Sequence, residues 1–155
     1  MKPELIYWDS CAFLGWLQAE PDKIDLCGGT LERAKAGEVG IITSTLTLTE
    51  VLWTKGGPKL SADKAETLQR FFRHSYIRLH NVTRGVAERA RDVVWNHNVK
   101  PKDAIHVATA LELGVLTIET FDDGVLKLHG IVGAPPLVVR KPIAAPQGSL
   151  NFDGQ

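Results

Sequence analysis

Four acidic residues that lie far apart in the chain, Asp9, Glu50, Asp103 and Asp122, each stand where a strand should end or a helix should begin. Taken singly, each has a plain structural explanation: helix cap for Asp9, surface charge for Glu50, helix-dipole partner for Asp103 and turn former for Asp122. Asp123 and Glu119 compete with Asp122 for the last place. If the four carboxylates met in one pocket, they would repel one another and take up protons unless something positive sat among them. Mg²⁺ or Mn²⁺ answers that need, because hard divalent ions take oxygen ligands, keep some waters and bridge carboxylates to phosphate oxygens. Two such ions would roughly neutralise four carboxylates, activate a water and stabilise the leaving oxygen of a phosphodiester. Zinc fits less well, since no His and Cys cluster has ligand spacing.

The elements that would position these acids can be read in order. Leu5-Ile6-Tyr7-Trp8 has the character of a strand buried on both faces and delivers Asp9 at its carboxyl end. Asp9 and Ser10 can cap the helix that follows over Ala12 to Leu17. Pro21 to Gly29 reads as a loop, Leu31 to Ala36 as a helix closed by Gly37, and Val39 to Thr43 as a second strand. Ser44 or Thr45 then caps a helix from Leu46 to about Trp53, with Glu50 in its second turn. After the break at Gly56-Gly57-Pro58, a helix is expected from Ser61 to about His74, a third strand over Tyr76 to His80, and a helix capped by Thr83 through Trp95.

Pro101 opens the next helix, with Asp103 in its first turn and Gly114 at its end. Val115 to Ile118 predicts a fourth strand, Val125 to His129 a last helical turn, and Pro136 to Val139 a short edge strand. Alternation of this kind predicts the α/β class: a single-domain, three-layer α/β/α arrangement around a mostly parallel sheet of four to five strands. In such sheets ligands gather outside the carboxyl ends of the strands. The expected domain is 1–140, and 141–155 is expected to be a tail that is disordered or lies against a partner.

Composition narrows the class. A chain of 155 residues and 17.0 kDa, 44% hydrophobic and 23% charged, can bury a sizeable core without disulfide staples. No apolar run approaches the roughly 20 residues of a membrane span, and no secretory signal precedes the first strand, so a cytoplasmic location is expected. Cys11 and Cys27 match no zinc or redox spacing and read as reduced thiols. The formal charge is zero, yet from Lys55 to Lys102 eleven Lys and Arg face four acids, either as a phosphate-binding face or as solvated helix surface. Lys55, Lys100 and Lys102 lie nearest the acids and are candidates for gripping a substrate backbone. His106 shares a helix face with Asp103, as a core histidine or as a contact to the acids. Trp8, Trp16, Trp53 and Trp95 read most simply as core or interface residues, with base stacking by any one of them as the alternative.

Tyr7-Trp8-Asp9-Ser10, Thr49-Glu50-Val51-Leu52, Lys102-Asp103-Ala104-Ile105-His106-Val107-Ala108-Thr109-Ala110 and Thr120-Phe121-Asp122 together resemble the PIN-domain nucleases, and within them the small VapC-type toxins of prokaryotic toxin–antitoxin pairs. The resemblance spans about residues 5 to 140, and its third block is the most specific. It implies that Asp9, Glu50, Asp103 and Asp122 bind metal, and that Ser10 and Thr120 orient the ligands or bind phosphate and water. It also implies Mg²⁺- or Mn²⁺-dependent cleavage of RNA, a homodimer, and often a small protein antitoxin. The chain departs from the family's usual pattern at Cys11, beside the first Asp, and at Gly124 and Val125, where many members carry another acid and an aromatic. An RNA- or protein-binding module of the same fold with little turnover is the alternative. A phosphatase or response-regulator-like domain would need paired acids on the first strand and a Lys at a later strand end, and neither is evident.

Overall fold

The computed structural model describes residues 2–53, 57 and 59–146, so Lys55 and the 147–155 part of the expected tail lie outside the described residues. The described residues form a five-stranded sheet in the order β3-β2-β1-β4-β5, every neighbouring pair parallel. The strands are β1 (Glu4–Trp8), β2 (Val39–Ser44), β3 (Ile77–His80), β4 (Thr117–Glu119) and β5 (Val138–Arg140). The first strand is central. From it the chain builds outward to one side through β2 and β3, then crosses over to lay β4 and β5 on the other. The order therefore reverses between β1 and β4, and it is the carboxyl ends of these two strands that carry Asp9 and Asp122.

Helices cover both faces, because each strand alternates its side chains between them. Ile6 and Trp8 face α1 (Ser10–Leu17), α2 (Ile24–Lys35) and α4 (Ala65–Phe72), in a core with Phe13, Leu31, Ile41, Phe72 and Ile77. Tyr7 faces the opposite way, toward α5 (Arg84–His97) and α6 (Pro101–Glu112), in a core with Ile42, Val86, Val107, Ile118 and Val139. Burying each such large apolar side chain contributes about 1.5–3 kcal/mol. The remaining helices, α3 (Thr47–Glu50) and α7 (Asp123–Leu126), are single turns at the carboxyl edge of the sheet.

Three local expectations are corrected. The α2 helix begins at Ile24, inside the stretch read as a loop. Gly28 and Gly29 disguised it, because glycine is a poor residue for a helix interior. Gly29 is needed there for closeness, since a Cβ would stand 2.0 Å from the Ile143 carbonyl oxygen and 2.7 Å from the Ala145 nitrogen, where the chain beyond β5 crosses the helix. The α3 helix is a single turn ending at Glu50, not a helix reaching Trp53. The fourth strand is Thr117–Glu119, two residues later than its apolar run suggests, because Val115 leaves the end of α6 with its N–H bonded to the Ala110 carbonyl. Past β5, Pro142 is buried.

Glu119 is wholly buried. It accepts hydrogen bonds from Trp8 Nε1 at 2.8 Å, Thr30 Oγ1 at 2.6 Å and Arg140 at 3.4 Å, tying β1, α2, β4 and β5 together on the face away from α6. Removing such a carboxylate leaves its donors and the Arg140 charge without a partner, which costs more than the bonds themselves contribute. Glu119→Ala is expected to lower the unfolding free energy by about 3 kcal/mol in urea denaturation, and a loss below about 1 kcal/mol would contradict this role.

Candidate active site

The site is assembled from strand ends and first helical turns. Asp9 leaves β1 and caps α1: its Oδ1 accepts from the Ala12 backbone N–H at 3.0 Å, satisfying one of the free donors of that helix end. Its Oδ2 accepts from the Thr120 hydroxyl, 2.5 Å away at the end of β4, and the same Thr120 oxygen accepts the Asp122 backbone N–H at 3.0 Å. Thr120 thus links the residues that follow the two strands flanking the crossover. Asp103 comes from the first turn of α6, behind Pro101.

Asp122 stands at the N-cap position of α7 without a side-chain capping bond, and its Oδ2 is buried with no hydrogen-bond partner among the described residues. A Cβ at Gly124 would lie 2.9 Å from that oxygen and 3.9 Å from Asp103 Oδ2. The two carboxylates therefore crowd the same point, and any side chain at 124 would press on them. Asp123 is exposed on the outer side of this turn, and Glu119 is engaged on the other face of the sheet, so Asp122 is the acid of this segment that meets the others.

Glu50 ends α3 and places Oε1 2.6 Å from His106 Nε2, while His106 Nδ1 lies 2.6 Å from the Tyr7 hydroxyl. Burial, and after it the charge of Asp9, pushes the Tyr7 phenol well above its ordinary range, so it keeps its proton. The Tyr7 hydroxyl and the Glu50 carboxylate thus engage the two ring nitrogens of His106, holding the imidazole from both sides. His106 is both of the things the sequence allowed: 1% exposed in the core, and in contact with the acids.

The charges press on one another. Burial is the main cause that raises the Asp9 carboxyl above the usual carboxylate range; Asp122 adds to it, while His106, Thr120 and the Ala12 N–H oppose it. The Asp103 carboxyl is raised to about 6, first by burial and then by Asp122, Asp9 and Glu50, with His106 opposing. Among the described residues no three of the acids, histidines or cysteines form a closed ligand set for a metal ion. The donors nonetheless suit one: all are carboxylate oxygens, one is buried without a partner, and burial with the neighbouring acids makes two of them hold their protons more tightly than usual.

Glu50, Lys100, Pro101, Lys102, Asp103 and Asp122 line a cleft of about 470 Å³, with Asp9, 2% exposed, buried behind it. A larger hollow of about 540 Å³ between Gly29, Glu32, Arg33 and the segment from Ile143 shares no residue with the cleft and brings no acid cluster together. Lys100 and Lys102 stand exposed on the rim of the cleft, without a carboxylate partner among the described residues. Ser10 begins α1, half-buried, with no side-chain hydrogen bond among the described residues. The candidate Lys55 lies outside them.

Two neighbours of the site were not singled out in the sequence as parts of it. Tyr7 could have been found by parity, since residues two apart on a strand share a face and Asp9 follows it. Cys11 stands close enough to Asp9 and Asp122 to feel both charges, and burial with those charges pushes its thiol up to about 11, so it is a neutral thiol at pH 7. Cys27, pushed up to about 12, is likewise a free thiol.

Comparison with known proteins bears on the fold and the family. Solved structures with the same fold include VapC20 of Mycobacterium tuberculosis, described as a Sarcin-Ricin loop cleaving toxin: 19% identity, TM-score 0.59, over 76% of this chain and 90% of that one. A toxin–antitoxin complex from Klebsiella pneumoniae matches at 21% identity and TM-score 0.58, over 86% of this chain and 99% of that one. No curated protein matches the sequence. No helix among the described residues is long and apolar enough to cross a membrane. The model of the PIN domain matches residues 6–130, from β1 past α7. On that match, which covers most of the chain and every acid of the cleft, the protein belongs to the PIN-domain family, a family of nucleases.

Proposed function

We propose that the protein is a metal-dependent endoribonuclease that hydrolyses RNA phosphodiester bonds, and that it is the toxin of a toxin–antitoxin pair. One observation carries the catalytic reading: Asp122 Oδ2 is buried without a donor beside Asp103, whose carboxyl is raised to about 6 first by burial and then by the neighbouring acids. Such a group of acids lacks a positive charge, and Mg²⁺ or Mn²⁺ is the kind of ion that carboxylate oxygens take. Mg²⁺ is commonly held by only one or two carboxylates, with waters and substrate phosphate completing its shell. The absence of a closed three-residue set among the described residues is consistent with that habit.

Asp103 and Asp122 would hold the ion, with Asp9 and Glu50 contributing from behind and beside them. When bound, the ion supplies a water made acidic enough to attack phosphorus and a counter-charge for the leaving oxygen. The protein's own part is orientation. Thr120 and the Ala12 N–H fix both oxygens of Asp9, and Tyr7 through His106 fixes Glu50, so the carboxylates face the cleft without reorganising when substrate arrives. Lys100 and Lys102 on the rim would draw the polyanion toward a mouth that the acids alone would make repulsive. Ser10, at the same end of β1, would act as a further water or phosphate donor.

The toxin reading, with a small protein antitoxin as partner, is supported by what the two solved structures are called; a homodimer and a cytoplasmic location are proposed along with it. An upstream reading frame for a short partner, co-purifying with this chain, would test it.

Asp103→Asn is expected to reduce cleavage of an RNA pool in Mg²⁺ more than about 100-fold while the circular dichroism of the protein is unchanged. Cleavage at the wild-type rate, with contaminating nucleases excluded, contradicts the assignment. Binding of Mn²⁺ without cleavage of any RNA favours a binding module instead.

A stability experiment gives the opposite sign to the usual aspartate. Asp103 holds its proton more tightly folded than unfolded, so the metal-free protein loses stability as pH rises from the ordinary carboxylate range through about 6. Asp103→Asn should therefore stabilise the metal-free protein at pH 7, by on the order of 1 kcal/mol after solvent screening of this half-buried group. Added Mn²⁺ should raise the melting temperature of the wild type and leave that of the variant unmoved. A destabilised Asp103→Asn would mean that the acid serves the fold.

A further inference from the structure

Trp95 does not sit in the core: it is 71% exposed, more than any other large apolar residue in the described part of the chain. It stands on the outer face of α5, where Ala87, Arg91, Val94 and Trp95, together with Pro101 and Ile105 of α6, line an apolar hollow of about 280 Å³. Two features distinguish this hollow from an ordinary helix–helix groove. Pro101 lines both it and the acid cleft, so the two are adjoining parts of one surface. Lys100 and Lys102 flank that shared proline, and Arg91 lies over the Trp95 ring at 5.1 Å from its centroid. No carboxylate lines the hollow.

We propose that the α5–α6 hollow at Trp95 is a nucleobase subsite for single-stranded RNA, in which an unpaired base stacks on Trp95 while its backbone passes Lys100 and Lys102 into the acid cleft. The inference rests on the nuclease reading of that cleft. The chemistry is complementary at each step. An aromatic ring with an arginine against it is a stacking platform for bases, whose faces are alike in being flat and polarisable. Ala87 leaves the space, and Val94 and Ile105 wall it with apolar surface. The hollow is smaller than the roughly 300–1,000 Å³ of sites for larger ligands, which suits one planar ring. Cations placed between it and the acids offset the repulsion that phosphates would meet at Asp103 and Asp122. A base within a duplex is already stacked on its neighbours, so the subsite selects unpaired RNA.

The Arg91 contact with Trp95 leaves most of the ring open, as its exposure requires, and the Arg91 guanidinium lies 3.6 Å from Asp92, which steadies it in place. Arg84 and Arg89 on the same helix are drawn instead to Glu88 and Glu112. Of the basic stretch that the sequence presented as one block, the part free to meet a phosphate near the cleft is therefore concentrated around Pro101.

The test uses the full chain carrying Asp103→Asn, so that RNA is bound but not consumed, and a fluorescein-labelled single-stranded oligoribonucleotide of mixed sequence. Trp95→Ala in that background should weaken binding about tenfold, and Trp95→Phe, which keeps a stacking face, by less than about threefold. The same oligonucleotide as a duplex should bind less well and be indifferent to Trp95. Trp95 is exposed, so its replacement is not expected to disturb folding, and the phenylalanine variant controls for it. Equal binding by Trp95→Ala overturns the subsite. So does an equal effect on duplex and single strand, or a change in self-association on size exclusion with unchanged RNA affinity, which would make the surface one for protein. The two readings fail separately: cleavage by the Asp103-containing protein with Trp95-independent affinity removes only the subsite. Trp95-dependent binding without cleavage by that protein removes the nuclease and leaves a site for RNA.

Discussion

The repulsion among Asp9, Asp103 and Asp122 is the constraint around which the carboxyl edge of this protein is arranged. A parallel sheet whose order reverses at β1 and β4 opens a crevice there, and the chain delivers an acid into it after each of those strands and another at the start of α6. Their burial makes each charge costly, and their proximity makes each cost larger. Such an arrangement destabilises the empty protein and stands only because the sheet beneath it is held independently. The interior faces of β1 fill both cores with Ile6, Tyr7 and Trp8, and Glu119 fastens the far side through Trp8, Thr30 and Arg140.

The hydrogen bonds at the site are of a kind that orients without neutralising. Thr120 and the Ala12 N–H each hold one oxygen of Asp9, and neither brings a formal charge. His106 is held between the Tyr7 phenol and the Glu50 carboxylate, which fixes its ring in place. The lysines that do carry charge stand at the rim, where water screens them. Among the described residues no lysine or arginine pairs with an acid of the cleft, which is why a divalent ion is the group proposed for it.

Much of this was legible in the sequence, for reasons that belong to particular residues. The run Leu5 to Trp8 could be little but a buried strand, Asp9 could only follow it, and Pro101 with Asp103 marks a helix start in any context. The parallel order of the sheet follows from the alternation of elements. What could not be read were facts that depend on contact. The twin glycines of α2 suggest a loop until the chain beyond β5 is seen pressed against Gly29. The bond from Tyr7 to His106 joins residues 99 positions apart, and nothing local announces it. Choosing Asp122 over Asp123 needs the turn of α7, which aims one carboxylate inward and leaves the next in solvent. Trp95 read as a core or interface residue, and only the fold places it out on the surface beside the cleft.

Calorimetric titration of the metal-free protein with Mn²⁺, repeated at pH 6 and pH 8 in pairs of buffers with different ionisation enthalpies, tests the central claim most directly. If a divalent ion fills the space among these acids, binding at pH 6 must expel the share of a proton that Asp103 holds there, and binding at pH 8 must expel less. Greater proton release at the lower pH is the predicted result. No binding at either pH, or binding at pH 6 without release, would contradict it.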